Sequence, residues 1–450
     1  MPPANGGGTK TRLSVTNVPE LQNHVAMQIT ANSKNGSSGR RTLTHLTASV
    51  VVVLTLSFAA GAADTMQTLS VASSWQLPRD PAVVCCAASP DFSSVAMMRT
   101  NDDVEIWSTA RREPLRRIAG PAKPAERFYP RSLAFSPDGQ WLAILHGGPL
   151  RLISTAGATN ELVIGEAREN VMRVKFSGDS RRLLVCGRAE RVVTLPEGKP
   201  VGTFAAVVSG ASRQPPPGAL AYDPTRVRPV KSLTSAISPD GAEVALGQPS
   251  WKLERWNVAT GQRCGFVKLY VEGLPLLQNP VSVLNYARRD GRLVAVMDGN
   301  QYDVALIEPD GKWRTLLHQA PQGQKQTEPR RVIRDAFFMP DGNEVVLVAE
   351  KLELGKYPYE MLGAKSVGAE VQFLDAATGA MTRRLEAAPG YFFSQAWVSM
   401  DGQRLMVLRR SYTMTPRTHA ERQGQHQGEA NLGAALLTVS LDRQPAIGKP

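Results

Sequence analysis

The stretch from Leu133 to Leu145 reads L-A-F-S-P-D-G-Q-W-L-A-I-L. Two apolar runs flank Ser136, Pro137, Asp138 and Gly139. Proline pre-sets the φ of a tight turn, aspartate bonds its own backbone two residues on, and glycine tolerates positive φ. Apolar run, turn and apolar run predict an antiparallel hairpin. The pattern returns along the chain. Aligned on the turn aspartate, seven copies fall at Asp91, Asp138, Asp179, Asp240, Asp290, Asp341 and Asp401, separated by 47, 41, 61, 50, 51 and 60 residues.

Each turn lies between two strand-like runs, such as Val332 to Phe338 and Val345 to Val348. A third run follows in nearly every unit, as at Val104 to Trp107 and Leu253 to Val258, and small turns at Ala259-Thr260-Gly261 and Ala377-Thr378-Gly379 lead to a fourth. Four strands per roughly 40 to 50 residues predict propeller blades rather than a helical solenoid. The fold class expected is all-β, a seven-bladed β-propeller of four-stranded antiparallel blades. The last unit has three strands and lacks its outermost one. The segment around Ser74-Trp75-Gln76-Leu77 precedes the first repeat without a partner, so it is expected to supply that strand and close the ring.

The F-S-P-D-G-x-x-L-A pattern resembles the WD-repeat and TolB-like (YVTN-like) β-propellers over residues 70 to 442. The resemblance implies a propeller and, since such rings host many activities, no single function. Trp107 is followed by Ser108 and Trp256 by Asn257, so the family's Trp-Asp pair is missing, as is the Gly-His pair that opens a WD repeat. The side-chain network of that family is therefore not carried over.

The first 38 residues are rich in Gly, Ser, Asn and Thr, without periodicity, and are expected to be a disordered lead, with Met27 a candidate start. Residues 39–63 follow as Arg40-Arg41, an apolar run from Leu46 to Ala60, and small residues ending at Ala63. That order is the pattern of a secretory signal, with an uncleaved membrane anchor as the alternative. The propeller is expected over residues 68–445. Cleavage after Ala62 would remove five basic residues and one acid, lowering the formal charge from +12 to +8. Export to the periplasm argues against nucleic acid as partner; a protein or an anionic envelope component fits the charge better. Cys85, Cys86, Cys186 and Cys264 are read as free thiols filling the core: the first two point to opposite faces of one strand and the others sit in different blades.

Catalytic patterns are absent from the sequence. There is no G-x-S-x-G elbow, and His146, His318, His419 and His426 form no metal-binding spacing, so neither cofactor nor metal is expected. The seven turn aspartates are read as hairpin stabilisers, and Trp75, Trp141, Trp313 and Trp397 as packing. Arg116-Arg117 and Arg383-Arg384 are expected on outer edges, where charge deters pairing.

One asymmetry bears on function. In a four-stranded meander the first–second and third–fourth turns share one end. The long connections, residues 119–130, 205–230, 318–331, 350–369 and 409–431, all fall at the other. They carry +7 of the +8 mature charge. The second–third loops of blades six and seven should lie side by side, offering Lys356, Tyr357, Tyr359, Arg409, Arg410, Tyr412, Arg417, His419 and Arg422. Arginine and tyrosine are typical anchors for an anionic partner. The expectation is a non-catalytic binding scaffold. The alternatives are a propeller enzyme, lactonase-like or amine-dehydrogenase-like, working at the central channel, and a TolB-like component of an envelope complex.

Overall fold

The structure, a computed structural model, describes residues 66–78, 82–121, 131–146, 149–157, 161–164, 171, 173–187, 190–204, 234–248, 252–269, 281–297, 303–317, 330–353, 365–411 and 433–442. The expected lead and signal segment lie outside them. Two short strands come first, β1 (Gln67–Thr68) and β2 (Ser73–Gln76). Blade one is β3 (Val83–Ala88), β4 (Ser94–Arg99), β5 (Val104–Ser108) and β6 (Pro114–Ile118). Blade two is β7 (Arg131–Phe135), β8 (Trp141–His146), β9 (Leu150–Ser154) and β10 (Glu161–Ile164). Blade three is β11 (Arg173–Phe176), β12 (Arg182–Cys186), β13 (Glu190–Thr194) and β14 (Pro200–Phe204). Blade four is β15 (Thr234–Ile237), β16 (Glu243–Gln248), β17 (Lys252–Asn257) and β18 (Arg263–Lys268). Blade five is β19 (Val281–Tyr286), β20 (Leu293–Met297), β21 (Asp303–Ile307) and β22 (Trp313–Leu317). Blade six is β23 (Arg330–Phe338), β24 (Glu344–Glu353), β25 (Lys365–Asp375) and β26 (Met381–Glu386). Blade seven is β27 (Tyr391–Val398), β28 (Arg404–Ser411) and β29 (Ala434–Ser440), with β2 as its outermost strand.

The seven-bladed ring and its closure are as expected from the repeat. β2 pairs antiparallel with β29, Trp75 opposite Leu436, so one strand from the start of the ring completes three from its end. Seven apolar clusters occupy the seven junctions between neighbouring blades; one joins Leu133, Leu142 and Ile144 of blade two to Ala87, Ala96 and Met98 of blade one. A middle strand is thus covered on both faces. That is why the second strands read as unbroken apolar runs, Leu142 to Leu145 and Val345 to Val348, instead of alternating.

The hairpins hold by the chemistry their residues imply. In blade two the Gly139 N–H donates to the Ser136 carbonyl at 2.9 Å and Gly139 has φ +73°, the left-handed position. Asp138 Oδ1 accepts the Gln140 N–H at 3.0 Å and the Ser136 hydroxyl at 2.5 Å, while that hydroxyl accepts the Trp141 N–H at 2.9 Å. All seven turn aspartates accept the N–H two residues on, at 3.0 to 3.1 Å. Phe92 and Ser180 stand where blade two has Gly139, with φ of 57° and 61°. Ser180 has a compensating contact: its hydroxyl accepts the Asp138 N–H of blade two at 3.0 Å.

These bonds set a pH dependence. The Ser238 hydroxyl and Ala242 N–H hold the Asp240 carboxyl below its ordinary range, and Ser399 and Gln403 do the same for Asp401. At Asp91 partial burial pushes upward, but bonds from Ser89 and Ser93 outweigh it and the net direction is down. A carboxyl that binds its proton more weakly in the folded chain contributes stability above its unfolded pKa of about 4. That contribution is lost as pH falls through the lower folded value. Thermal midpoints are expected to stay level from about pH 7 to 5 and to fall between about pH 4 and 2. Asp240→Asn with Asp401→Asn should flatten the acid limb; an unchanged limb would show that these turns contribute nothing to it.

Four expectations need correction. Arg383-Arg384 is not an outer edge: β1 adds to β26 in parallel, Gln67 opposite Arg383, making blade six five-stranded, and Arg383 is buried. An apolar neighbour explains the addition, since Leu69 joins the cluster between blades six and seven. Cys85, Cys86 and Cys186 are buried free thiols, but Cys264 is exposed, because β18 is an outermost strand. Strands also run further into two expected loops: residues 350–353 and 365–369 belong to β24 and β25, and Arg409 and Arg410 to β28. The connections within these segments are 354–364 and 412–433, shorter than the ranges read from sequence.

Candidate functional site

The first–second and third–fourth turns occupy one end of the ring, here the turn end, and the remaining connections emerge at the other, the loop end. The turn end opens on the axis. A cavity of about 350 Å³ is lined by innermost-strand residues of blades one, two, five, six and seven, among them Phe135, Tyr286, Phe337 and Trp397. A smaller cavity beside it adds Lys175 and Phe176 of blade three.

Three polar residues cross the channel beneath this aromatic mouth. Lys175 Nζ donates to the Leu284 carbonyl at 2.6 Å and to Asn285 Oδ1 at 2.7 Å, reaching from blade three to blade five. Asn285 Nδ2 donates to the Ala336 carbonyl of blade six at 2.7 Å and lies 3.5 Å from Asp335 Oδ1. Burial lowers the Lys175 pKa to about 8, against the attraction of Asp335. Burial likewise raises Asp335, against Lys175. Three blades are thereby pinned across the axis. Each stands on an innermost strand one to three residues before its end, Lys175 in R-V-K-F, Asn285 in V-S-V-L-N-Y and Asp335 in R-R-V-I-R-D-A-F-F; nothing in the sequence shows that the three meet.

The loop end is basic. Arg131 and Arg173 open the innermost strands of blades two and three, and Arg331 and Arg334 stand near the start of that of blade six. Arg131 pairs with buried Asp102 at 2.7 Å, Arg331 with buried Glu370 at 2.8 Å, and Arg334 with Glu350 at 2.6 Å. Among the described residues Arg173, Arg409 and Arg410 have no carboxylate within ion-pair distance. Arg410 Nη2 donates to the Val84 carbonyl of blade one at 2.6 Å, and its Nε to Ser394 Oγ at 3.3 Å. The Arg409 guanidinium carbon lies 4.2 Å from the Tyr391 ring centroid. Arg410 and Arg131 favour the Cys85 thiolate, but burial dominates and pushes that thiol up to about 12, which leaves it inert.

Blades six and seven stand above the others at this end. β24 and β25 have 10 and 11 residues where β8 and β9 of blade two have 6 and 5. Four extra residues lift a hairpin by about 13 Å. Of the residues singled out from sequence, Arg409 and Arg410 are thus on the tall hairpin of blade seven, both half-buried. Lys356, Tyr357, Tyr359, Tyr412, Arg417, His419 and Arg422 lie outside the described residues. Blades six and seven do share a packed junction, so their hairpins are neighbours as expected.

Three third strands carry a glutamate that accepts from a side chain two residues on. Trp107 Nε1 donates to Glu105 Oε2 at 2.8 Å, Trp256 Nε1 to Glu254 Oε2 at 3.3 Å, and Gln372 Nε2 to Glu370 Oε1 at 2.8 Å. Each is a Glu-x-donor pair on a third strand, its two side chains on one face of the strand. The glutamates also bind arginine: Arg99, Arg263 and Arg331 respectively. No protein-family model matches the chain, and no curated protein matches it.

Proposed function

We propose that this seven-bladed ring is an exported, non-catalytic scaffold that captures an anionic envelope partner at its loop end. The observation that carries the reading is the set of three arginines there, Arg173, Arg409 and Arg410, that the fold leaves without carboxylate partners among the described residues. Among the described residues no carboxylate neutralises their charge, so an incoming phosphate or carboxylate would meet a positive field. In sequence, Lys356, Arg417 and Arg422 fall in the connections that follow β24 and β28, the tall second strands of blades six and seven. On this reading the chain is a WD-repeat or TolB-like relative that has replaced the Trp-Asp network by Glu-x-Trp pairs.

The rival is an enzyme working at the channel, and Lys175 and Asp335 favour it. Lys175, however, serves the ring, joining blade three to blade five through two hydrogen bonds, and Asp335 stands 3.5 Å from the same Asn285. Capture at the loop end is therefore the conclusion. Arg173→Ser, Arg409→Ser, Arg417→Ser and Arg422→Ser combined, with Arg410 kept because it bonds blade one, should weaken binding to phosphatidylglycerol vesicles. At about 1 kcal/mol for each basic residue near an anionic surface, the loss should be about a hundredfold or more at low salt. The thermal midpoint should hold. Vesicle binding equal to that of the parent chain would end the reading.

A further inference from the structure

The carbonyl that accepts the N–H closing each first–second turn belongs, in ring order, to Ser94, Trp141, Arg182, Glu243, Arg292, Glu344 and Arg404. The three arginines act alike. Arg182 Nη1 donates to the Gly241 carbonyl of blade four at 2.6 Å, Arg292 Nη2 to the Gly342 carbonyl of blade six at 2.7 Å, and Arg404 Nη2 to the Asp91 carbonyl of blade one at 2.9 Å. Each guanidinium bridges to the turn of the next blade. Arg292 also lies over Phe338, 5.5 Å from the ring centroid, and bonds the turn carboxylate of Asp290 at 2.7 Å.

Between blades one and two the same position is Ser94, whose side chain is too short to cross. A groove of about 820 Å³ lies there, lined by Asp91, Ser94, Phe135, Asp138 and Gly139 among others. Phe135 ends its innermost strand as Phe338 does, and Gly139 holds the turn position of Gly342. Asp91 and Asp138 accept their own turns' bonds at Oδ1, and among the described residues no bond reaches either Oδ2. The Gly139 carbonyl takes the Thr155 hydroxyl at 2.6 Å, which leaves it a second lone pair. The receptor for a guanidinium is therefore complete and its internal donor is missing.

A cation already stands at the outer end, where Arg116 Nη1 donates to the Ser154 carbonyl at 2.8 Å. It does not exclude a second one. At blades five and six, Arg314 on the matching outermost strand donates to the Ala376 carbonyl while Arg292 fills the inner place.

We propose that the groove between blades one and two binds an arginine side chain of a partner polypeptide. The carboxylates would face the guanidinium edge, the Gly139 carbonyl would accept an N–H, and Phe135 would underlie its plane. This site is at the turn end and is independent of the anion capture proposed for the loop end.

The test is calorimetric titration of the intact chain with acetyl-Gly-Arg-Gly-amide, its citrulline analogue and free arginine. The arginine peptide is expected to bind, and the citrulline peptide at least about tenfold more weakly, because charge assistance strengthens such bonds. Ser94→Arg should abolish binding and raise the thermal midpoint, since it supplies the donor found at three other junctions. Ser94→Met, which fills the space without charge, should also block. Equal binding of the citrulline peptide, full binding by either variant, no binding by the parent chain, or a Ser94→Arg midpoint below the parent's would overturn the proposal. Free arginine binding as tightly as the peptide would overturn the assignment to a polypeptide.

Discussion

Replacing Arg383 with alanine is expected to cost about 3 to 5 kcal/mol of folding stability, the loss that follows when one partner of a buried ion pair is removed. Arg383 and Glu344 have side chains only 9% and 10% exposed, and the guanidinium bonds the Glu344 carboxylate. Its Nη1 also donates to the Leu441 carbonyl at 3.1 Å, tying blade six to the residue that follows the last strand of blade seven. The guanidinium carbon sits 4.4 Å from the Phe373 ring centroid, beneath the cover that β1 adds. Among the described residues, alanine would leave the Glu344 carboxylate with the Thr382 hydroxyl as its side-chain partner. Arg383→Met with Glu344→Leu should recover most of the loss, because matched apolar groups remove both charges together. Urea unfolding of the three chains decides it: a single-mutant loss below about 1 kcal/mol would show a solvated, surface-like pair.

A chain beginning at residue 78 is expected to lose its closed ring, whereas one beginning at residue 65 keeps it. The longer removal takes away β1 and β2, and with them Leu69, Trp75 and Leu77. Trp75 lies 5.7 Å, centroid to centroid, from Trp107 of blade one, and Leu77 is buried in the cluster joining blades seven and one. Each such side chain contributes about 1.5 to 3 kcal/mol, so the three together approach the 5 to 15 kcal/mol that holds a typical domain folded. β29 would also present a bare edge from Ala434 to Ser440, an invitation to aggregate. Light scattering and thermal melts should show an aggregating, low-melting chain. A synthetic peptide of residues 66–78 should restore solubility by pairing with β29. An undiminished melt without residues 66–77 would mean that the clasp is dispensable.

Blade count and closure were legible in the sequence because both rest on local chemistry. A Pro-Asp-Gly turn between apolar runs makes a hairpin in any surroundings, and a missing outermost strand is a deficit that can be counted. The role of the turn aspartates was legible for the same reason, since each bonds the N–H two residues on. The candidate rim was legible as charge and topology alone. That Arg410 holds blade one through the Val84 carbonyl, and that Arg409 stacks on Tyr391, depends on hairpin lengths which apolar patterning does not delimit.

Other features had no signal to read. Gln67-Thr68 is too short to announce a strand, and its pairing with β26 depends on the space beside Leu69. Arg383 looks like a solvated charge until that strand covers it. The crossing of Lys175 to Asn285 joins residues 110 apart. The groove beside Ser94 lies where a short side chain stands at a position from which three other blades reach across with arginine.

By itself the sequence determined the repeating unit, the number of units and the strand that closes them, since turn chemistry and apolar runs act over a few residues. Only the tertiary structure decided which charges are buried in pairs, which meet across the axis and which junction is left with an open groove. Those outcomes depend on distances between blades, set when the ring closes and not by any one blade.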